Sequence, residues 1–165
     1  MNEPQGFTSD EQLVLERIGA EVRKVFSEGD KRVLLEINAL AKVSALVALA
    51  INPDGRHITS EGRANDADVS DDIFGLVADL RKACYRENSG TWFSARIDVA
   101  DSGEVSASYN YNDEPKWDAP PDPVAYVNDI EVFPRDEAHQ PEWLKKQLTA
   151  GNEKIARHIG RGGKR

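Results

Sequence analysis

Apolar residues first recur at helical spacing. Leu15, Ile18, Val22 and Val25 follow the tetrad Thr8-Ser9-Asp10-Glu11. Thr8 can cap a first turn while Glu11 reaches back from three residues on, so the pattern predicts an amphipathic helix over Ser9 to Ser27. Glu28-Gly29-Asp30 stops it, with Gly29 as a left-handed cap. Two runs rich in Val, Leu and Ile follow, Arg32 to Leu40 and Val43 to Ile51, short enough for strands. The alanines at 39, 41, 45, 48 and 50 leave a helical reading of part of this stretch open. Asn52-Pro53-Asp54-Gly55 marks a turn, and His57 to Thr59 can start a short return strand.

Ser60 to Ser70 is polar and reads as a loop. Ser70-Asp71-Asp72 then opens a helix with negative charge at its positive end, and Ile73, Leu76, Val77, Leu80 and Cys84 form its stripe. Asn88-Ser89-Gly90 ends it. From Thr91 to Ala100 the chain alternates: Phe93, Ala95, Ile97 and Val99 face one way, Trp92, Ser94, Arg96 and Asp98 the other. After the turn Asp101-Ser102-Gly103 the alternation resumes to Tyr111, with Val105, Ala107, Tyr109 and Tyr111 in register. This is a half-buried antiparallel hairpin. Pro115, Pro120, Pro121 and Pro123 then forbid a further strand. Val124 to Phe133 reads as partly helical, and Glu142 to Leu148 as a short final helix after Pro141. The sum is an α+β fold, an antiparallel sheet flanked by helices. One domain is expected over residues 9–148, between a flexible N-terminus (1–8) and a basic, mobile tail (149–165).

Charge changes this picture. The 165 residues carry a net charge of −8, unevenly placed. Residues 98–142 hold 12 acids and 2 bases, net −10, more than the whole chain; residues 143–165 are net +6. A net-acidic chain lacks the basic footprint that nucleic acid or an anionic membrane requires as direct partner. A single cysteine, Cys84, permits no internal disulfide and points to a reducing compartment. The N-terminus lacks a positive n-region and an apolar run, so no secretory signal is expected. The longest apolar run, Val43 to Ile51, falls far short of the ~20 residues of a bilayer span. A cytoplasmic protein is the expectation.

Chemistry is sparse. His57, His139 and His158 sit in unrelated contexts, without the spacing of a metal site. No glycine-rich loop opens a helix after a strand, so no phosphate cradle or cofactor is expected. Cys84 lies on a helical stripe, which makes it a small core side chain. Asp113 and Glu114 are adjacent, and adjacent residues in extended backbone face apart, which suits a solvated acidic turn better than an acid–base pair. The aromatics divide. Tyr109 and Tyr111 share a face with Val105 and Ala107 and can pack under a helix. Trp117, between Lys116 and Asp118 in a proline-bounded loop, either folds back to anchor that loop or stands out as an interface aromatic. Trp143 begins the final helix and can pack it down.

The aromatic hairpin end Tyr109-Asn110-Tyr111-Asn112-Asp113-Glu114, the run Val132-Phe133-Pro134-Arg135-Asp136, and Pro141-Glu142-Trp143-Leu144 occur together with Thr91-Trp92-Phe93-Ser94. Over Thr91 to Leu148 the chain resembles the YezG-like antitoxins, the immunity proteins of bacterial polymorphic toxin systems. The alanine-rich N-terminal strands match poorly. The resemblance implies a small acidic cytoplasmic protein that neutralises a cognate toxin, often a nuclease, and is not an enzyme. On that reading Asp113, Glu114 and Asp118 meet basic toxin residues, Tyr111 and Trp117 are aromatic anchors, and Asp136 and Glu137 form a second patch. Two other readings compete: a metal-assisted hydrolase with Asp113, Glu114 and Asp118 as oxygen ligands, and an adaptor for another basic protein.

Overall fold

A computed structural model describes residues 9–53 and 67–162, the side chains of the last two excepted. The fold is α+β: α1 (Ser9–Arg23), β1 (Arg32–Ala39), β2 (Ser44–Ile51), α2 (Ile73–Ala83), β3 (Ser94–Ala100), β4 (Val105–Asn110), α3 (Val124–Val132) and α4 (Glu142–Gly162), with a one-turn 3-10 helix at Glu137–His139. The strands form one sheet in the order β2-β1-β3-β4. β1 and β3 run antiparallel, since Asp101 N–H donates to the Lys31 carbonyl at one end and Ala39 N–H to the Phe93 carbonyl at the other.

Both alanine-rich runs are strands. Val33, Leu35 and Ile37 on β1 and Ala48 and Ala50 on β2 are buried at alternate positions, the period of a strand. β3 begins at Ser94 rather than Thr91, but the predicted row is buried throughout: Phe93 just ahead of the strand, and Ala95, Ile97 and Val99 on it. Trp92, two residues ahead of β3, is fully buried too.

By packing, the chain divides into two compact units. The first comprises Met1–Ile37, Leu46–Cys84 and Ala95–Tyr109. Here α1 and α2 lie against each other. Leu15, Ile18 and Val22 of α1 and Ile73, Val77 and Leu80 of α2 are 0–2% exposed, so the predicted stripes are the core-facing ones. Cys84 is buried as expected. The Glu11 carboxylate accepts the Tyr109 hydroxyl (2.8 Å), placing the phenol under α1. α1 ends at Arg23, four residues short of the predicted Ser27. Gly29 has the expected positive φ of 87°, but in a separate turn that leads into β1 rather than as a helix cap. Buried Asp30 fixes that turn, accepting from Ser27 N–H (2.7 Å) and the Asn52 side chain (2.8 Å). The Thr8 cap, the Asp54-Gly55 end of the Asn52 turn, the strand at His57 to Thr59 and the loop from Ser60 to Asp66 lie outside the described residues.

The second unit comprises Asn38–Ala45, Tyr85–Ser94 and Asn110–Arg165. Its core is Leu40, Phe93, Tyr126 and Leu144, with Trp117, Ile130, Trp143 and Leu148 packed around it. Other ends differ from the sequence reading. α2 stops at Ala83 rather than near Asn88; Asn88 (φ 64°) and Gly90 (φ 79°) instead close a tight reversal in which Arg86 bridges Gly90. β4 ends at Asn110, so Tyr111 belongs to the loop. The final helix does not stop at Leu148. It runs 21 residues to Gly162 and takes in most of the segment expected to be a mobile tail. Leu144, Leu148, Gly151, Ile155 and Ile159 carry one stripe through it, sparse enough in its second half to escape a pattern search. Among the described residues no helix is long and apolar enough to cross a membrane.

Candidate partner-binding surface

The acidic loop after β4 is built from backbone contacts outward. Proline cannot donate, and the stretch from Tyr111 to Asp118 lies beyond the end of β4, so its amides and carbonyls need other partners. The fold supplies them from several elements. The Asn110 side-chain carbonyl accepts Asn112 N–H (3.2 Å) and Asp113 N–H (2.8 Å), while its amide donates to Ser94 Oγ and the Asp113 carbonyl (both 2.9 Å). The Trp143 indole N–H, on α4, donates to the Asn112 carbonyl (2.8 Å). Asn38, on β1, donates to the Lys116 carbonyl (2.8 Å). Pro115 is buried. The Trp117 indole N–H donates to the Tyr126 hydroxyl (3.1 Å), on α3.

One residue ties the largest number of these segments. Arg135 is 6% exposed. Its guanidinium donates to the carbonyls of Thr91 (3.0 Å), Tyr111 (2.5 Å) and His139 (2.9 Å), and it lies over the Phe93 ring at 4.5 Å. The planar fork of an arginine suits several carbonyls at once, and a charged donor makes each bond stronger than a neutral one. The aromatic bed under it is Phe93 edge-on to Trp143 (5.1 Å) and Trp143 edge-on to Tyr126 (5.8 Å). Gly90 makes room: a Cβ there would collide with Arg135 Nε.

Among the residues singled out in the sequence, Asp113, Glu114 and Asp118 are exposed on this pinned loop. The Gln147 side-chain amide, on α4, donates to the Glu114 carboxylate (3.5 Å). Trp117 folds back and anchors the loop, one of the two readings open for it. Tyr111 is half-buried, and the Arg86 guanidinium covers its ring at 4.3 Å. Trp143 packs α4 down, as expected. Asp136 and Glu137 are exposed at the start of the 3-10 helix, where the Asp136 carboxylate meets His139 Nδ1 (2.5 Å). Asp129 and Arg135 are the residues that sequence reasoning missed. Asp129, buried on α3, accepts Ala41 N–H (2.7 Å) and so fixes the β1–β2 connection. Arg135 has a visible signal, since it stands alone among acids in the Val132-Phe133-Pro134-Arg135-Asp136 run, but nothing local shows that its donors go to three carbonyls.

Burial raises the Tyr126 phenol above its ordinary value, against the opposing bond from Trp117. The Asp122 carboxyl is lowered by its pair with Lys154 and by Val124 N–H. Among the described residues no three His, Cys, Asp or Glu side chains converge as a metal site, so Asp113, Glu114 and Asp118 are not assembled into a ligand set. No family model matches this chain, and no curated protein is significantly similar to it.

Proposed function

We propose that this chain is a cytoplasmic immunity protein that binds a cognate toxin one-to-one and covers a basic active-site cleft with the loop from Tyr111 to Asp118. The observation that carries the reading is the contrast within that loop. Its backbone is held by Asn38, Asn110, Arg135 and Trp143, while Asp113, Glu114 and Asp118 stand in solvent. A loop ordered before binding loses little entropy on binding. A toxin that cleaves a nucleic acid or nucleotide needs a cleft that attracts phosphates, and fixed carboxylates can take their place. The net charge of −10 over residues 98–142 steers the encounter at long range. Tyr111 and Trp117 then serve as the loop's supports, leaving the carboxylates as the contact. The motif resemblance over Thr91 to Leu148 agrees with this reading.

The test is co-expression with the product of the adjacent gene. The toxic product alone should arrest growth, and this chain should rescue it and co-purify at one-to-one without turnover. The variant Asp113→Lys/Glu114→Lys, at two exposed positions, should slow association by roughly tenfold or more at low salt, since steering lifts rates from ~10⁶ toward ~10⁸ M⁻¹s⁻¹. An unchanged rate and salt dependence would show that this loop is not the contact.

A further inference from the structure

Val132 closes α3 with its side chain 54% exposed, where a valine adds little to any core and is a weaker helix former than alanine. It leads into Phe133-Pro134, and Pro134 is exposed as well. The Phe133 ring lies 5.7 Å from that of Tyr85, tilted by 46°, and both residues are half-buried. The Tyr85 hydroxyl donates to the Pro134 carbonyl and accepts Asn88 N–H (both 3.4 Å). Backbone fixes the two segments further: Asp136 N–H donates to the Asn88 carbonyl (2.8 Å), and Ser89 bridges Arg135. Tyr85, Val132, Phe133 and Pro134 thus make a partly exposed apolar patch on ordered backbone.

The patch belongs to the second unit and adjoins the acidic loop. Arg135, next to Pro134, donates to the Tyr111 carbonyl, and Arg86, next to Tyr85, lies over the Tyr111 ring at 4.3 Å. The same two segments carry exposed acids: Glu87, Glu131, Asp136 and Glu137. Asp136 meets His139, while Glu87, Glu131 and Glu137 have no hydrogen bond or ion pair among the described residues. Of the bases there, Arg135 is buried and Arg86 is stacked on Tyr111. An apolar centre with an acidic rim fits a protein surface that presents an apolar side chain between lysines or arginines. A second copy of this chain would bring like charges together around the patch, and an anionic membrane would meet the same repulsion.

We propose that Tyr85, Val132, Phe133 and Pro134 are the apolar anchor of the contact with the toxin whose basic cleft the loop covers, with Glu131 and Glu137 flanking it. This rests on the immunity reading and adds what the loop lacks. With Tyr111 and Trp117 acting as supports, the loop offers carboxylates alone, and solvated carboxylates speed association more than they hold a complex together. Binding energy concentrates in a few desolvated apolar and aromatic side chains inside a polar ring. The loop therefore sets the rate of association and the patch the rate of dissociation.

The experiment measures association and dissociation rates of the full chain with the product of the adjacent gene, for wild type, Val132→Ser, Val132→Ile and Glu131→Lys/Glu137→Lys. These positions are exposed, and equal melting temperatures verify the fold. Val132→Ser should raise the dissociation rate roughly tenfold and leave the association rate alone, while Val132→Ile stays within about twofold of wild type. Glu131→Lys/Glu137→Lys should slow association roughly tenfold at low salt. An unchanged dissociation rate in Val132→Ser, or an unchanged association rate in Glu131→Lys/Glu137→Lys, would overturn this proposal and leave the loop contact intact. A wild type that does not bind the product at all would remove the immunity reading, and this contact with it. Self-association of the chain alone that Val132→Ser abolishes, seen in sedimentation velocity, would assign the patch to a second copy and overturn the toxin contact.

Discussion

At the scale of single residues, the acidic surface depends on a base. Arg135 gives three backbone carbonyls a charged donor in a place almost closed to water. Lysine keeps the charge but not the fork. Arg135→Lys should leave at least one of those carbonyls unsatisfied and cost about 1–3 kcal/mol, seen as a lower urea midpoint; Arg157→Lys on the exposed end of α4 should change nothing. An unchanged midpoint for Arg135→Lys would mean that the carbonyls find other donors. The sequence displayed Arg135 in plain view. What it could not display was that Thr91, Tyr111 and His139, far apart along the chain, bring their carbonyls to one point. The carboxylates were legible for the opposite reason: charge needs no partner to be counted.

At the scale of elements, strands were easier to recognise than ends. Period-two alternation in β3 and β4 reports burial on one face directly, and the helical stripes of α1 and α2 do the same. Ends are set by competition with neighbouring backbone. β4 gives way at Asn110 because Tyr111 O goes to Arg135 instead of a strand partner. α4 continues past Leu148 because Gly151 allows close approach to α3, which no local pattern encodes. Alanine at 151 should favour a free helix by ~1 kcal/mol. Against that, a Cβ would press on the Pro123 backbone, a strain typically worth about 1–3 kcal/mol. Gly151→Ala should therefore lower the melting temperature despite its better helix propensity; a raised one would mean that α4 shifts freely on α3.

At the scale of the whole molecule, acidity and alkaline stability have separate origins. The net charge of −8 comes from 29 acidic against 21 basic side chains, whereas two phenols are held in their neutral form. Burial raises Tyr109, with Cys84 and then Glu11 adding to the shift, and burial likewise raises Tyr126. Below the ordinary tyrosine value of about 10, folded and unfolded chains both keep these protons. Above it the unfolded chain loses them first, so stability should fall as pH climbs past about 10. Urea midpoints measured at about pH 9 and about pH 11 should diverge for wild type and converge in Tyr109→Phe/Tyr126→Phe. An equal drop in that variant would assign the loss to other groups. The sequence by itself determined what depends on composition and local period: the α+β class, the β3–β4 hairpin, the faces of α1 and α2, and where the negative charge lies. Tertiary structure alone decided which loop is held still, which aromatic supports rather than presents, and how far α4 extends. Those outcomes rest on hydrogen bonds and close approaches between residues distant in the chain, such as Asn38 with Lys116 and Gly151 with Pro123, and no local pattern carries that information.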